Sequence, residues 1–222
     1  MGREVVVVAP HPDDETLGCG GTLLRHAASG DRIHWIIVTQ MDKANSTEID
    51  RERRKQEIEA VSRMYGFTSV HRLGYTAARL ESYPLGDIVA SMGEVFRKVL
   101  PEIVYLPYPG DIHSDHQTVF QAASACTKWF RYPTVKKIMC YETLSETDFD
   151  IHPDGNLFRP NVFVDITDYL DEKIKIMTHY SSEMGDFPFP RSIEAIQSLS
   201  AVRGAAAGAK AAEGFMLLKE MI

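Results

Sequence analysis

A chain of 222 residues, 44% hydrophobic and 25% charged, has the length and composition of a globular protein with a substantial core. Its formal net charge of -7 argues against a broad basic face for nucleic acid. Three scattered cysteines, Cys19, Cys126 and Cys140, disfavour a disulfide framework or thiolate metal site, and no apolar run reaches the ~20 residues that span a bilayer.

The run Val5–Ala9 is β-branched without polar alternation, which predicts a strand buried on both faces. Pro10 and Pro12 stop it, and His11, Asp13, Asp14 and Glu15 crowd the break. Thr22–Ala28 is expected as a helix stopped by Gly30, and Ile33–Thr39 as a second strand, completing a βαβ unit. Met41–Thr47 is polar loop, and Glu48–Tyr65 a long charged helix ended by Gly66. Ser69–Leu73 reads as a short strand, Gly74–Pro84 as loop, and Leu85–Val99 as an amphipathic helix closed by Pro101. A strand Ile103–Leu106, a helix Thr118–Phe130 and a strand Lys137–Tyr141 follow. Beyond about residue 142 the pattern is less regular: a strand at Asn161–Val164, helices at Thr167–Tyr180 and Ile193–Gly204, and a flexible Ala205–Gly208. No repeat or low-complexity linker divides the chain. We expect one α/β domain over residues 1–222, with a less regular C-terminal third from about residue 142.

After Ile103–Leu106 the opening arrangement recurs, because Pro107–Gln117 is a proline break followed by Asp111, His113, Asp115 and His116. Parallel strands end on one edge of their sheet, so the two clusters can meet there. A lone His-Pro-Asp is an ordinary turn, and a lone His-x-x-His an ordinary surface pair. Two such clusters, each after an apolar strand, point instead to a metal. Imidazoles with a carboxylate and no thiol suit a catalytic zinc that leaves one position open. The adjacent charges Asp13, Asp14 and Glu15 repel one another unless a cation offsets them.

Ala9–Gly21, Ala-Pro-His-Pro-Asp-Asp-Glu-Thr-Leu-Gly-Cys-Gly-Gly, resembles the signature of the LmbE-like (PIG-L) family of zinc-dependent N-deacetylases, and His113–His116 is similar to its second motif. Arg54-x-x-Glu57, Leu73-Gly74-Tyr75 and Ala212-Glu213-Gly214-Phe215 keep the family's order, so the resemblance covers most of the chain. It implies a Rossmann-like, three-layer α/β/α fold with a mostly parallel sheet, and hydrolysis of the acetamide of an N-acetylated amino sugar or conjugate, with one zinc ion per chain. It also implies His11, Asp14 and His116 as metal ligands, Asp13 as general base, His113 facing the substrate carbonyl, Asp115 orienting His113, and Arg54 touching substrate. An Asp115 partner would raise the pKa of His113 and make it the acid for the departing amine. Two departures stand out: Asp111 replaces a tyrosine found in some members, and Thr76–Leu80 lacks an aspartate and glycine common in relatives.

Glu15 fits either a support for a metal ligand or the start of a helix. His26, His34, His71, His152 and His179 are expected as packing or surface residues. Two other classes fit less well: a nucleotide-binding module using Gly18–Gly21, and a metal phosphoesterase, which would want more bridging ligands. The remaining expectations are a small-molecule substrate, no nucleic acid, no integral membrane segment and a cytoplasmic location, with homo-oligomerisation left open.

Overall fold

The computed structural model describes residues 2–151 and 157–222, so His152 lies outside the described residues. Strand β1 (Glu4–Ala9) leads into helix α1 (Asp14–Ala28), then β2 (Arg32–Gln40), α2 (Glu48–Tyr65) and β3 (Ser69–Thr76). Next come α3 (Leu85–Val99), β4 (Ile103–Pro107), α4 (Ser114–Ala125) and β5 (Lys137–Tyr141). The chain closes with β6 (Val162–Asp165), α5 (Leu170–Met177), α6 (Ile193–Ala207) and β7 (Ala212–Glu220). These strands form one seven-stranded sheet in the order β3-β2-β1-β4-β5-β7-β6. The pairs joining β1 through β5 are parallel, whereas β7 runs antiparallel between β5 and β6.

The valine run behaves as its composition dictates. Val5–Val8 have no solvent exposure, with Val5 and Val7 facing one core and Val6 and Val8 the other. The first core takes Leu17, Leu23, Val61, Ile176 and Ile196 from α1, α2, α5 and α6. The second takes Ile88, Phe96, Val119 and Ala122 from α3 and α4. Helices therefore cover both faces of a mostly parallel sheet. Burial of both valine faces stabilises β1 at the centre, by roughly 1.5–3 kcal/mol per fully buried aliphatic side chain.

Helix α2 keeps its expected limits because its ends are chemically marked. The Thr47 side chain accepts from the Asp50 N–H, Asp50 reciprocates at the Thr47 N–H, and Gly66 closes the helix at φ 69°. Helix α3 also runs over the expected Leu85–Val99. Other boundaries differ. Helix α5 is shorter than Thr167–Tyr180, since Thr167 instead folds back onto the Asp165 carboxylate through its N–H and hydroxyl. Ala205–Ala207 belong to α6. Strand β7 falls where the sequence predicts none, since the small residues at the start of Ala212–Glu220 mask its alternation.

The largest shift concerns the two motifs. Helix α1 starts at Asp14 instead of Thr22, and α4 at Ser114 instead of Thr118, so each motif is a strand end plus the first helical turn. Gly18, Gly20 and Gly21 disguise this part of α1, because glycine is a poor helix former. Close approach explains them. A Cβ on Gly18 would sit 2.2 Å from the Tyr141 ring, and one on Gly21 2.5 Å from Ile166. Tyr141 cannot yield, being fully buried with its hydroxyl donating to the Val8 carbonyl. Gly18→Ala is therefore expected to lower stability by about 1–3 kcal/mol, despite better helix propensity, as read from denaturant midpoints.

Candidate metal centre

Strands β1 and β4 are adjacent and parallel, pairing Val5 with Ile103 and Val7 with Tyr105. Their carboxyl ends bring His11 and Asp14 against His113 and His116. The imidazole centroids of His11, His113 and His116 lie 4.6–5.6 Å apart. One ligand atom each from His11, Asp14 and His116 falls within 4.8 Å of the others, and so does a second set, His11, His113 and Asp115. Both sets share His11.

Hydrogen bonding fixes where the lone pairs point. His116 Nδ1 lies 2.8 Å from Asp111 Oδ2, so in the neutral ring the proton sits there and Nε2 presents a lone pair. That Nε2 is buried, has no hydrogen-bond partner among the described residues, and lies 3.4 Å from Asp14 Oδ1. His11 Nε2 lies 3.0 Å from Asp115 Oδ2, leaving Nδ1 3.3 Å from Asp14 Oδ2. Two imidazole lone pairs thus converge on one carboxylate. A buried orphan acceptor with such neighbours is what a divalent cation completes, and N/O donors suit zinc. The residues present fit the ion.

Asp111, whose partner the sequence left open, therefore holds His116. Its other oxygen accepts from the Thr147 hydroxyl at 2.5 Å. Asp115 requires a correction. Its carboxylate lies within 4.8 Å of a His113 nitrogen but is directed to His11 and to the backbone N–H groups of Ala78 and Leu80, from which it accepts. Only the Asp115 N–H meets His113, donating to Nδ1 at 3.1 Å because His113 caps α4. The segment Thr76–Leu80 thus supplies two backbone amides to the Asp115 carboxylate.

The charges follow from this geometry. Burial lowers the pKa of His11, but hydrogen bonds to Asp115 and Asp14 raise it to about 9. His116 is likewise raised, Asp14 and Asp111 outweighing burial. The same imidazoles hold Asp14 below the usual carboxylate range despite its burial. His113 moves the other way: burial, then the charges of His11 and His116, push it down to about 4. The expected rise of His113 through Asp115 is thus reversed. Asp13 is raised well above an ordinary aspartate by burial and by Asp14.

Without metal, then, His11 holds a proton up to about pH 9, and the ion must displace it to reach Nδ1. Divalent-metal affinity is expected to rise from pH 6 toward pH 9, by about tenfold per unit for each proton released. Competition with a chromophoric chelator would measure it, and a flat profile would contradict a protonated His11 in the metal-free protein.

Asp14 belongs to the close ligand set and Asp13 does not; Asp13 adopts φ 139°, a conformation that L residues rarely take. Glu15 then reaches back, accepting from the Asp13 N–H, the Thr16 hydroxyl and the Tyr180 hydroxyl. It is thus both an early helix residue and the brace of the Asp13 turn. Arg54 donates to the Pro12 carbonyl at 2.9 Å, ion-pairs with Glu57 and Glu183, and lies over Tyr180. It lines the cavity beside Asp13, but much of its fork is engaged by the protein.

That cavity, of about 430 Å³, opens over His11, Asp13, Asp14 and His113. Thr143, Ser145, Glu146, Glu183 and Arg191 form part of its wall, and sequence reasoning misses all five. They come from irregular segments, where no periodicity or motif marks a wall residue.

Residues 6–127, more than half of the chain, match the family described as GlcNAc-PI de-N-acetylase, PIG-L. The chain belongs to the PIG-L family. PIG-L proteins are metal-dependent deacetylases, in keeping with the His/Asp cluster above. Among PIG-L relatives, the uncharacterized deacetylase YaiS of Escherichia coli K12 is 28% identical over 64% of this chain and 75% of its own. The diacetylchitobiose deacetylase of Thermococcus kodakarensis is 23% identical over 96% of this chain and 82% of its own. The crystal structure of the conserved protein TT1542 from Thermus thermophilus superposes with a TM-score of 0.80 at 26% identity, covering 99% of this chain and 96% of that one. The fold is wider than deacetylation: the 4-carboxy-2-hydroxymuconate hydratase GalB of Pseudomonas putida KT2440 gives a TM-score of 0.74 at 18% identity over 99% of this chain and 98% of its own.

Proposed function

We propose that this PIG-L protein is a zinc-dependent hydrolase that removes the acetyl group from the nitrogen of an amino-sugar conjugate, releasing acetate and a free amine. The observation that carries this reading is the His11–Asp14–His116 cluster, with Asp13 and His113 beside it at the floor of one cavity. The diacetylchitobiose deacetylase among its relatives supports an N-acetyl sugar as substrate.

His11 Nδ1, an Asp14 oxygen and His116 Nε2 would hold the ion. When bound, it supplies Lewis-acid polarisation of the acetyl carbonyl and a water of lowered pKa. Asp13 takes the proton of the attacking water. Its burial beside Asp14 suits it to keep that proton and then pass it to the departing nitrogen, which leaves only when protonated. Neutral His113, its Nδ1 occupied by the Asp115 N–H, turns Nε2–H toward the acetyl oxygen and stabilises the developing charge. Asp115 and Asp111 hold the rings of His11 and His116 and take no part in proton transfer. Arg54 keeps the Pro12–Asp13 turn in place and borders the sugar.

The nucleotide-binding alternative loses its phosphate cradle, since Gly18, Gly20 and Gly21 are buried in α1 against Tyr141, Tyr65, Lys173 and Ile166. A two-ion phosphoesterase would want carboxylates that bridge both ions, and the two ligand sets among the described residues share only the His11 imidazole. The deciding experiment is an acetate-release assay over N-acetyl amino sugars, run on protein stripped of metal and reloaded with zinc. Zinc-restored acetate release is the expected result. Stoichiometric zinc without acetate from any N-acetyl sugar would overturn the reading.

A further inference from the structure

One acid on the cavity wall has no part in the chemistry above. Glu146 lies on the loop after β5, half-buried, and lines the cavity that opens over His11 and Asp13. Burial raises its pKa and the charge of His116 lowers it, which places it near the metal end. It belongs to neither ligand set and forms no ion pair among the described residues. Its one side-chain donor is the Ser145 hydroxyl at 3.4 Å, a long hydrogen bond. The loop that carries it is fastened to the centre. The Thr143 carbonyl accepts from the N–H groups of Glu146 and Thr147, at 3.1 and 2.9 Å, and the Thr143 N–H donates to the Thr147 hydroxyl. That hydroxyl donates in turn to Asp111, the residue that holds His116, and the Ile112 N–H donates to the Glu146 carbonyl at 3.2 Å. Glu146 therefore keeps a fixed station relative to the ligand cluster.

A solvated loop acid is the ordinary explanation for such a residue. It does not explain a half-buried carboxylate that stays apart from every cation of its own cavity. Arg191, the cation closest to it in the loop's contacts, donates to the Ser145 hydroxyl at 2.7 Å and pairs with Glu183. A ligand that fills the cavity displaces the water around Glu146, and a carboxylate so desolvated is costly unless the ligand brings donors. Lys43, Arg51, Arg54, Lys55, Arg72 and Arg191 line the same cavity, so a cationic donor is disfavoured and a neutral hydroxyl fits. Resting on the deacetylase reading, we propose that Glu146 positions the substrate, its carboxylate accepting a hydrogen bond from a ring hydroxyl of the amino sugar whose acetamide lies at His113.

The methyl glycoside of N-acetylglucosamine and its 3-, 4- and 6-deoxy forms test this, on wild type, Glu146→Gln and Glu146→Ala, with zinc saturating. In wild type, loss of the recognised hydroxyl should lower kcat/KM by about 10–100-fold, because a desolvated carboxylate is left without its partner. Glu146→Ala should lower kcat/KM for the parent sugar by a similar factor and leave that deoxy sugar nearly unaffected, with Tm unchanged. Glutamine keeps an acceptor oxygen without the charge, so Glu146→Gln should fall between the two. The deoxy sugar that couples to the variant identifies the hydroxyl. A loss equal across all four sugars, or no loss, would overturn the proposal while sparing the deacetylase reading. Should no sugar release acetate, the deacetylase reading fails by itself. Calorimetry with the same sugars on wild type and Glu146→Ala still tests Glu146: hydroxyl-dependent binding that the variant abolishes sustains the proposal, and binding that the variant leaves unchanged, or no binding, refutes it.

Discussion

Asp13→Asn should lower kcat by about 10²–10⁴ while leaving the metal in place, the range that a positioned acid–base group contributes. Asparagine keeps the size of the side chain and tolerates positive φ better than most residues, so the turn at φ 139° survives. The amide cannot accept the proton of water, and the reaction stalls at its first transfer. A second readout separates this from general damage. Burial and Asp14 raise the pKa of Asp13 in the fold, so its ionised form is destabilising, and its contribution is lost as pH rises through that raised value. Removing the charge should therefore raise the Tm of the metal-free protein near pH ~8 relative to wild type. A variant that is inactive and more stable fits a strained catalytic carboxylate. If metal is lost instead, Asp13 and Asp14 have exchanged roles.

His116→Ala should weaken metal binding by at least about 100-fold, since it removes a ligand and not merely its support. Asp111→Asn is the companion. It leaves Nε2 in place but alters the partner that fixes the ring's proton on Nδ1, and a drop of about 10–100-fold is expected. Dialysis against a graded chelator followed by metal analysis would rank the two. An Asp111 variant with unchanged affinity would leave the His116 ring held by packing alone.

Much of this centre is legible without coordinates. The two prolines after apolar runs mark the strand ends, and parallel β1 and β4 bring those ends together. The family signature names His11, Asp14, His116 and Asp13, and the structure gathers all four. What a sequence lacks is direction. Asp115 sits two residues from His113, but the first turn of α4 carries its carboxylate to His11 and to the amides of Ala78 and Leu80. Residues near in sequence part at a helix start, and of Asp13 and Asp14 only the second joins the close ligand set. The far wall is illegible for another reason: Glu146, Glu183 and Arg191 come from irregular segments, where tertiary contacts alone place a residue.

Glu213, near the end of the chain, accepts from the backbone N–H groups of Gly21 and Thr22 inside α1, while Lys173 bridges Glu213 and the Leu17 carbonyl. The helix that begins with Asp14 is thus clasped by Glu213, 192 positions beyond Gly21, and by Lys173, 156 beyond Leu17. Chain leaving the ribosome carries His11 and Asp14 long before this clasp exists, so the N-terminal motif matures last although it is made first. In native-state hydrogen exchange, the amides of Gly21 and Thr22 should open only with global unfolding. Faster local exchange there would mean that the clasp contributes little.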